Sequence, residues 1–435
     1  MRVRREDSAE EYTLDDSPLG QGGEGAVYGV RGNSELVAKI FFHPTKNHAE
    51  KLAAMLSTPP CTHAASGPIH VAWPVARLLS VEAGAVVGYI MPRLTGARPV
   101  CDFYHPGTRR RCCPLFSYAY LVRTARNLAA AVQSLHDSSF VIGDLNESNV
   151  LVTNQATVTL VDTDSFQIKD WGRLFCCPVA KPEFTPPELQ GAFVGDLDRL
   201  REHDAFALAV LIFQLLMQGV HPFSGIYTGS GETPSLADRI AAGWWPYAWH
   251  HAADPVQPPP YAPPWWVLPP RVQDLLSACF EDGHANPSLR PTAQDWRDAL
   301  EESERQLVIC AINQQHVFVR GLDTCPWCVL YQNQDRDPFP SRQELQDRRD
   351  RALQSAARIG QALVVPPLPM SACLREDDLP YPAAVCPPSS WLDRTLCGIG
   401  AAIESQPWSV WIAAGALAAL AGVLATLATQ LPPGH

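Results

Sequence analysis

Three absences narrow the class of this protein before any motif is considered. Basic residues do not outnumber acidic ones: 34 lysines and arginines face 45 aspartates and glutamates, which gives a net charge of −11 and a pI near 5.6. This balance argues against a nucleic-acid binder that relies on a general basic field. The N-terminus lacks the apolar run of a signal peptide, and an even number of cysteines is also missing, since there are thirteen. We therefore expect free or metal-bound thiols and a reducing cytoplasm.

The chain does contain enough apolar residues for a large core. It has 435 residues, of which 46% are hydrophobic and 18% charged, which is ordinary for a globular protein. Residues 1–12 are rich in charge and are predicted to form a loose tail.

A glycine-rich segment follows this tail. Gly20, Gly22 and Gly25 form a G-x-G-x-x-G-x-V pattern that ends at Val27, and the next residues continue as a strand into a turn. Glycines at this spacing let backbone N–H groups fold over phosphates. Dinucleotide-binding folds use the same spacing but continue directly into a helix, so the hairpin context favours a phosphate-binding hairpin.

A lysine and a carboxylate–amide pair complete the candidate chemistry. Lys39 interrupts an otherwise apolar strand from Leu36 to Phe42, where its ammonium requires an anion; the alternative is an edge lysine that reaches out to water. Asp144 and Asn149 lie five residues apart between apolar residues. A carboxylate there can accept the proton of an attacking hydroxyl, and the amide oxygen can hold Mg²⁺ against a phosphate. The alternative for this loop is a turn with an Asx cap.

With the T-P-P-E segment at 185–188 and the L-R-P-T segment at 289–292, these motifs resemble, in order and spacing, a bacterial protein kinase of the eukaryotic Ser/Thr type. The resemblance covers residues 13 to about 303 and implies an α+β, two-lobed fold with ATP in the cleft. The small antiparallel β lobe is expected over residues 13–96 and the large helical lobe over 97–303. It also implies that Arg290 pairs with Glu188.

The resemblance also implies the roles of the site residues. Asp144 is the expected base, and Glu50 is the expected partner that fixes Lys39. ATP is expected to contact Gly20, Gly22, Gly25, Val27, Val37, Lys39, Met91, Pro92, Leu94, Asn149 and Asp162. The expected ligands of Mg²⁺ (or Mn²⁺) are Asn149, Asp162 and Asp164. A protein substrate and a partner phosphatase are implied by resemblance, and no nucleic acid is.

Three departures from the family keep two functions open. The family's D-F-G is replaced by D-T-D at 162–164, its His-Arg by Ile142 and Gly143, and its γ-phosphate lysine by Asn146. A lost cation weakens transition-state stabilisation, because electrostatic positioning is most of phosphoryl-transfer catalysis. The chain is therefore predicted to be either a slow Ser/Thr kinase or a nucleotide-binding pseudokinase that serves as a membrane-bound scaffold.

A second group of ligands lies after the predicted kinase region. Cys310, His316, Cys325 and Cys328 fall within nineteen residues and end in a C-x-x-C knuckle. Thiolate and imidazole ligands at such spacing suit tetrahedral Zn²⁺, so we predict a structural zinc module over residues 304–332. The alternatives are a redox C-x-x-C motif and a zinc-based nucleic-acid reader, but a βαβ context is missing for the first and basic residues for the second.

The last quarter of the chain predicts a tether. Residues 333–407 are expected to be a linker that carries a charged helix from Ser341 to Ile359. Residues 408–429 contain no charge and would measure roughly 33 Å as a helix, which is long enough to cross a bilayer. We expect a single-pass C-terminal anchor in the inner membrane with the kinase lobes facing the cytoplasm. The alternative is a buried hairpin helix.

Overall fold

The computed structural model describes residues 1–8, 10–60, 70–248, 254–358 and 383–384. Its strands are β1 Arg2–Arg5, β2 Glu11–Thr13, β3 Gly20–Gln21, β4 Gly25–Val30, β5 Asn33–Phe41, β6 His70–Val71, β7 Ala76–Ser80, β8 Val86–Pro92, β9 Ala97–Pro99, β10 Val150–Thr153, β11 Val158–Leu160, β12 Ile168–Asp170, β13 Arg173–Phe175, β14 Ile226–Tyr227, β15 Val256–Gln257, β16 Leu307–Cys310, β17 Val317–Val319 and β18 Ala383–Ala384. Its helices are α1 Lys46–Ser57, α2 Cys101–Tyr104, α3 Pro106–Cys112, α4 Tyr118–Asp137, α5 Arg201–Leu216, α6 Leu236–Ala242, α7 Pro270–Ser277, α8 Gly283–Ala285, α9 Ala293–Arg305, α10 Pro326–Gln334 and α11 Arg342–Arg358.

An antiparallel sheet of seven strands forms the small lobe, in the order β2-β1-β7-β8-β5-β4-β3. The expected loose tail over residues 1–12 is instead part of this sheet, since β1 pairs with β2 and with β7. The physical reason is the single apolar residue of β1: Val3 is fully buried among Leu14, Ile40 and Leu78. Burial of one valine side chain helps to hold a strand whose arginines stay partly or fully exposed.

The predicted strand from His70 to Leu79 is divided between two sheets. β6 pairs in parallel with β11 of the large lobe, whereas β7 pairs with β8 of the small lobe. Pro74 lies between β6 and β7, and its missing N–H cannot continue a ladder. The chain therefore passes at Pro74 from the sheet of the large lobe back into the sheet of the small lobe.

The large lobe is built around two buried helices. α4, predicted over residues 115–136, buries most of its length, and α5 is buried along nearly all of its residues. α4 packs against both α5 and α9. A second sheet, in the order β6-β11-β10-β9, lies between these helices and the small lobe, so that the loops at its ends face the cleft.

The segment with the cysteine–histidine motif packs directly on the large lobe. Trp327 of α10 is fully buried and lies 4.9 Å, ring centroid to centroid, from both Tyr118 of α4 and Phe339. Arg109 of α3 stacks 4.5 Å above the Phe339 ring. Residues 333–341, expected to begin a linker, are therefore part of the folded lobe because Phe339 fills its apolar surface. The charged helix follows as α11.

Among the described residues, no helix has both the length and the apolar character needed to cross a bilayer. The predicted membrane span at 408–429 lies outside the described residues, as does most of the predicted linker.

Candidate active site and cysteine–histidine cluster

A cavity of about 890 Å³ lies between the two lobes. Twelve of the residues predicted from sequence line it: Gly20, Gly22, Gly25, Val27, Val37, Lys39, Met91, Pro92, Leu94, Asp144, Asn149 and Asp162. They come from the β3–β4 hairpin, from β5, from the end of β8 and from two loops of the large lobe. The fold thus brings together residues separated by up to 142 positions, from Gly20 to Asp162.

The glycine hairpin forms the roof of the cavity. The Gly22 N–H donates to the Gly25 carbonyl at 2.9 Å, which closes a tight turn between β3 and β4. A Cβ on Gly25 would lie 2.5 Å from the Ile40 carbonyl oxygen of the neighbouring strand, so a side chain does not fit there. A methyl group on Gly20 or on Gly23 would meet no atom within 4 Å, so this part of the backbone is open to a ligand.

Lys39 is held by two carboxylates from one short segment. It is 7% exposed, and its Nζ donates to Asp162 Oδ1 at 2.5 Å and to the two oxygens of Asp164 at 2.7 and 2.8 Å. Burial pulls the pKa of Lys39 down, but the charges of Asp164 and Asp162 outweigh it and raise the pKa above its ordinary value. Lys39 is therefore a fixed cation at the inner end of the cavity.

Asp164 does not lie where a metal ligand is needed. It is 7% exposed and is absent from the cavity wall, and Oδ1 also accepts the hydroxyl of the fully buried Tyr89 at 2.7 Å. The reason is the left-handed backbone at Asp162, with φ 59°, which turns residue 164 away from the cavity and leaves Asp162 facing it. The prediction that Asp164 binds Mg²⁺ is therefore replaced by a role as the anchor of Lys39.

Glu50 is likewise not the partner of Lys39. Its carboxylate pairs with Arg173 at 2.5 Å and with Lys46 at 3.4 Å on the outer face of α1. The next residue, Lys51, faces inward and is 6% exposed; burial lowers its pKa, while the charges of Cys177, Asp164 and Glu24 oppose that effect. The phase of α1 thus presents an ammonium to the interior, and Asp164 supplies the carboxylate expected from this helix.

The loop with Asp144 is fixed from below by a buried aspartate. Asp204 of α5 is 1% exposed and accepts the N–H groups of Ile142 and Gly143, each at 2.8 Å. From the cavity side, Nδ2 of Asn149 donates to the Asp144 carbonyl at 2.9 Å and to Asp144 Oδ2 at 3.2 Å. Burial raises the pKa of Asp144, and hydrogen bonds from Asn146 and Asn149 counteract part of this rise. A positioned carboxylate with a raised pKa suits a general base.

Asp162 and Asn149 fit a magnesium ion. Both line the cavity, and Mg²⁺ prefers carboxylate and amide oxygens. The amide nitrogen of Asn149 is engaged by Asp144, so its oxygen is the atom left for a metal. These two residues would hold the ion next to the base.

Arg199 joins the segment after Asp164 to the loop of Asp144. It is 2% exposed, and its guanidinium donates to the carbonyl of Gly143 and, at 2.8 Å, to that of Val179. Gly143 has φ 76°, and a Cβ there would lie 2.6 Å from the Cβ of Cys177. Glycine is thus required at the position where the kinase family has arginine, and Arg199 binds the segment instead.

The predicted pair of Glu188 and Arg290 is present. The guanidinium of the buried Arg290 binds both carboxylate oxygens of Glu188, at 2.7 and 2.6 Å. This bidentate contact fixes the end of the same segment to the helical lobe.

The four cluster residues converge as the zinc prediction requires. One ligand atom from each of Cys310, His316, Cys325 and Cys328 lies within 4.8 Å of all the others, and three of the four residues are buried. His316 Nδ1 faces the cluster, 3.4 Å from the sulfur of Cys328, while Nε2 donates to Asp337 at 2.9 Å. A carboxylate on the far nitrogen of a histidine ligand fixes its orientation and tautomer. The donor set and its outer partner fit Zn²⁺.

Four residues of these sites were missed from sequence. Asp204 carries a weak signal, because it directly precedes the apolar run of α5 and a carboxylate at the start of a buried helix needs a partner. Asp337 was hidden in a segment taken for linker. Lys181 also lines the cavity. Neither Lys181 nor Arg199 carries a local pattern that distinguishes it from a surface cation.

Two curated relatives are similar to this chain, both named protein kinase YegI. The protein of Escherichia coli O157:H7 is 38% identical over 318 residues, which are 72% of this chain and 48% of that protein. The protein of Escherichia coli strain K12 is 38% identical over 329 residues, 74% of this chain and 49% of that protein. The chain therefore spans about half the length of the curated relatives it matches.

No protein-family model matches the chain. Among solved structures, the ROP18 kinase domain in complex with AMP-PNP and sucrose is 19% identical, with 69% of this chain and 82% of that chain covered at a TM-score of 0.45. With its two lobes around a cleft and its similarity to two relatives named protein kinase, the described part of the chain resembles a bacterial protein kinase.

Proposed function

We propose that this chain transfers the γ-phosphoryl group of Mg-bound ATP to a serine or threonine hydroxyl of a protein. The observation that carries the proposal is the convergence of Lys39, Asp144, Asn149 and Asp162 on one cavity under a glycine hairpin. A cation, a base and two metal ligands around one space are the parts that phosphoryl transfer needs. The names of the relatives support the same activity.

Each residue of the cavity then has a distinct task. Backbone N–H groups of the hairpin and the ammonium of Lys39 bind phosphates, while Val27, Val37 and Met91 surround the base of the nucleotide. Asp144 receives the hydroxyl proton of the acceptor. Bound Mg²⁺, held by Asn149 and Asp162, would neutralise charge on the phosphates.

A pseudokinase that binds nucleotide remains the second candidate, and two observations favour it. Asn146 occupies the catalytic loop without a charge, and its side chain bonds only to the loop itself among the described residues, at the Asp144 carbonyl and the Ser148 N–H. Lys39 is engaged by two carboxylates that a nucleotide would have to compete with. Such a protein would bind ATP without transferring phosphate.

One experiment separates the two functions. The full chain is incubated with radiolabelled ATP and Mg²⁺ and with matched peptides that offer serine, threonine or tyrosine, and Asp144→Asn is the inactive reference. Asp298→Asn is the matched control, because Asp298 is a half-exposed surface partner of Arg297 on α9. Label on serine or threonine above the Asp144→Asn background supports the kinase. Tight ATP binding with no label above that background contradicts it.

We also propose that the cysteine–histidine cluster holds one structural Zn²⁺. All four ligand positions are filled by protein groups, which leaves no open position for catalysis. Purified protein should contain about one zinc per chain, as structural sites of this ligand set do. A preparation that is folded, metal-free and fully reactive to thiol reagents at Cys310, Cys325 and Cys328 would contradict the proposal.

Finally, we propose that residues 408–429 tether the chain to the inner membrane with the lobes on the cytoplasmic side. The support is the length and lack of charge of this segment in the sequence. Deletion of residues 406–435 should move the protein from the membrane fraction to the soluble fraction. Release of the intact chain from membranes by alkaline carbonate would contradict an inserted helix.

A further inference from the structure

The catalytic loop supplies no cation to the end of the cavity where Asp144 lies. Asn146, two residues later, is 4% exposed; its Nδ2 donates to the Asp144 carbonyl at 3.1 Å, and its Oδ1 accepts the Ser148 N–H at 2.9 Å. These bonds hold the loop in shape and leave the amide no net charge to offer. Negative charge that builds up on a transferring phosphoryl group must be met by another group.

The described part of the chain places three cationic side chains on the cavity wall: Lys39, Arg93 and Lys181. Lys39 lies at the inner end, where it is bound to Asp162 and Asp164. Arg93 directly follows β8 and its N–H donates to the Glu35 carbonyl, so it belongs to the nucleotide-base end. Lys181 is the cation left for the end with Asp144.

Lys181 is held next to the catalytic loop by an ion pair. Its Nζ contacts Oε1 of Glu147, which is part of that loop, and lies 5.7 Å from the centre of the Phe184 ring. The Lys181 side chain is 37% exposed, so it remains accessible to a ligand. The second oxygen of Glu147 is buried without a hydrogen-bond partner in the described structure, so this carboxylate relies on Lys181.

The backbone around Lys181 is fixed by its own segment. The Lys181 carbonyl accepts the Phe184 N–H and the Thr185 hydroxyl, each at 2.9 Å. Two residues earlier, the Val179 carbonyl accepts Arg199 at 2.8 Å. The backbone of Lys181 is therefore placed by the fold of residues 179–185, and the ion pair with Glu147 holds its ammonium beside the catalytic loop.

From this geometry we propose that Lys181 is a further catalytic residue, which contacts the transferring γ-phosphoryl group and stabilises its charge. The inference rests on the proposed kinase function. In that reaction the acceptor oxygen forms a bond to the γ-phosphorus of the nucleoside triphosphate. The bond from that phosphorus to the β–γ bridging oxygen breaks, and its electron pair leaves with the diphosphate. The hydroxyl proton passes to Asp144, while Lys181 keeps its proton throughout.

The test compares Lys181→Gln with variants that separate charge from structure. Removal of one preorganised donor to a developing charge lowers kcat by about 10²-fold, so Lys181→Gln should lose about that much with little change in Kd for Mg-ATP. Lys181→Arg should retain most activity. Asn146→Lys in the Lys181→Gln background should recover part of the loss, because it returns a cation from the other side of the same space.

Two further variants serve as controls. Lys169→Gln removes an exposed lysine of the same segment, paired with Asp198 at 3.0 Å, and should change kcat by less than about twofold. Glu147→Gln breaks the ion pair but keeps the ammonium, so it should cost far less activity than Lys181→Gln. Equal losses in Glu147→Gln and Lys181→Gln, without rescue by Asn146→Lys, would overturn the proposal and show a purely structural ion pair.

The failure of this inference is distinguishable from failure of the proposed function. If Lys181→Gln transfers phosphate as fast as the wild-type chain, only the proposed role of Lys181 is overturned. A wild-type chain that binds Mg-ATP but transfers no phosphate overturns both.

Discussion

The cleft and the cysteine–histidine cluster both bring polar and charged side chains together, but they assemble them in opposite ways. The cleft draws its groups from distant parts of the chain, as with Lys39 and Asp162, which are 123 residues apart. The cluster gathers four ligands within nineteen residues and buries three of them. In the cleft, charged groups face an open cavity and keep their places through bonds to one another. At the cluster the four ligand atoms face one another. We infer that the cleft is built to exchange its ligand and that the cluster is built to keep it.

The largest expected effect is a loss of stability, and it tests the inference that the cluster keeps its ligand. At the proposed zinc site, Cys325→Ser should release the metal and lower the free energy of unfolding by about 5 kcal/mol, because metal binding at a structural site is also folding energy. The loss should reach the large lobe, since Trp327 packs on Tyr118. Zinc content and urea unfolding measure both effects. Cys101→Ser, which changes a half-buried thiol outside the cluster, is the matched control. Full stability of the zinc-free variant would contradict the comparison.

The next effect concerns the buried anchor of the cleft. Asp164→Asn leaves Lys39 with Asp162 alone and should lower the free energy of unfolding by about 3 kcal/mol, as when one partner of a buried ion pair is removed. The pKa of Lys39 should fall, because Asp164 is the larger of the two charges that raise it. Denaturant unfolding and the pH dependence of ATP binding report the two changes. Asp298→Asn, at an exposed ion pair with Arg297, should cost less than about 1 kcal/mol. A cost for Asp164→Asn no larger than that of Asp298→Asn would show that Asp162 suffices.

A smaller effect is expected from the outer partner of the cluster. Asp337→Asn keeps the shape of the side chain but removes the charge that orients His316, so zinc affinity should fall by about 10- to 100-fold. Competition with a chromophoric chelator measures this change. ATP affinity should stay the same, because Asp337 does not line the cavity. Unchanged zinc affinity would mean that the ligand set alone fixes His316.

The smallest effect is a displaced pH limit. In the proposed reaction Asp144 accepts a proton as a carboxylate, and burial raises its pKa, so transfer should fail on acidification at a pH above the ordinary aspartate value of 3.8. The acid limb of kcat/KM measures this pKa, with zinc content determined in the same samples. An acid limb at or below 3.8, or one that follows zinc loss, would contradict the assignment.

Some site residues could be predicted from the sequence and others could not, for physical reasons. The glycine hairpin, Lys39 and the loop of Asp144 and Asn149 were predictable because their chemistry depends on short, fixed spacings. Whether Glu50 or Lys51 faces the interior depends on the phase of α1, which is set by packing across the lobe and not by the spacing from Lys39. Likewise, neighbouring carboxylates at 162 and 164 point to different places because residue 162 adopts a left-handed backbone that its sequence does not announce.

The same limit explains the contacts that were missed. Val3 joins the sheet through pairing with β7, about 75 residues away in the chain, and a charged N-terminal stretch gives no local sign of that partner. Asp337 acts nine residues beyond the last cluster cysteine, where the metal motif has already ended. Long-range partners of this kind emerge only when the chain is folded.

The position of Arg199 has a consequence for control of the protein. It ties the loop of Asp144 to the segment near Val179 through backbone carbonyls, which are always present, and not through a group that has to be added. The Arg199 contacts therefore form without phosphorylation of the segment. We expect treatment with a phosphatase to leave the proposed transfer rate unchanged.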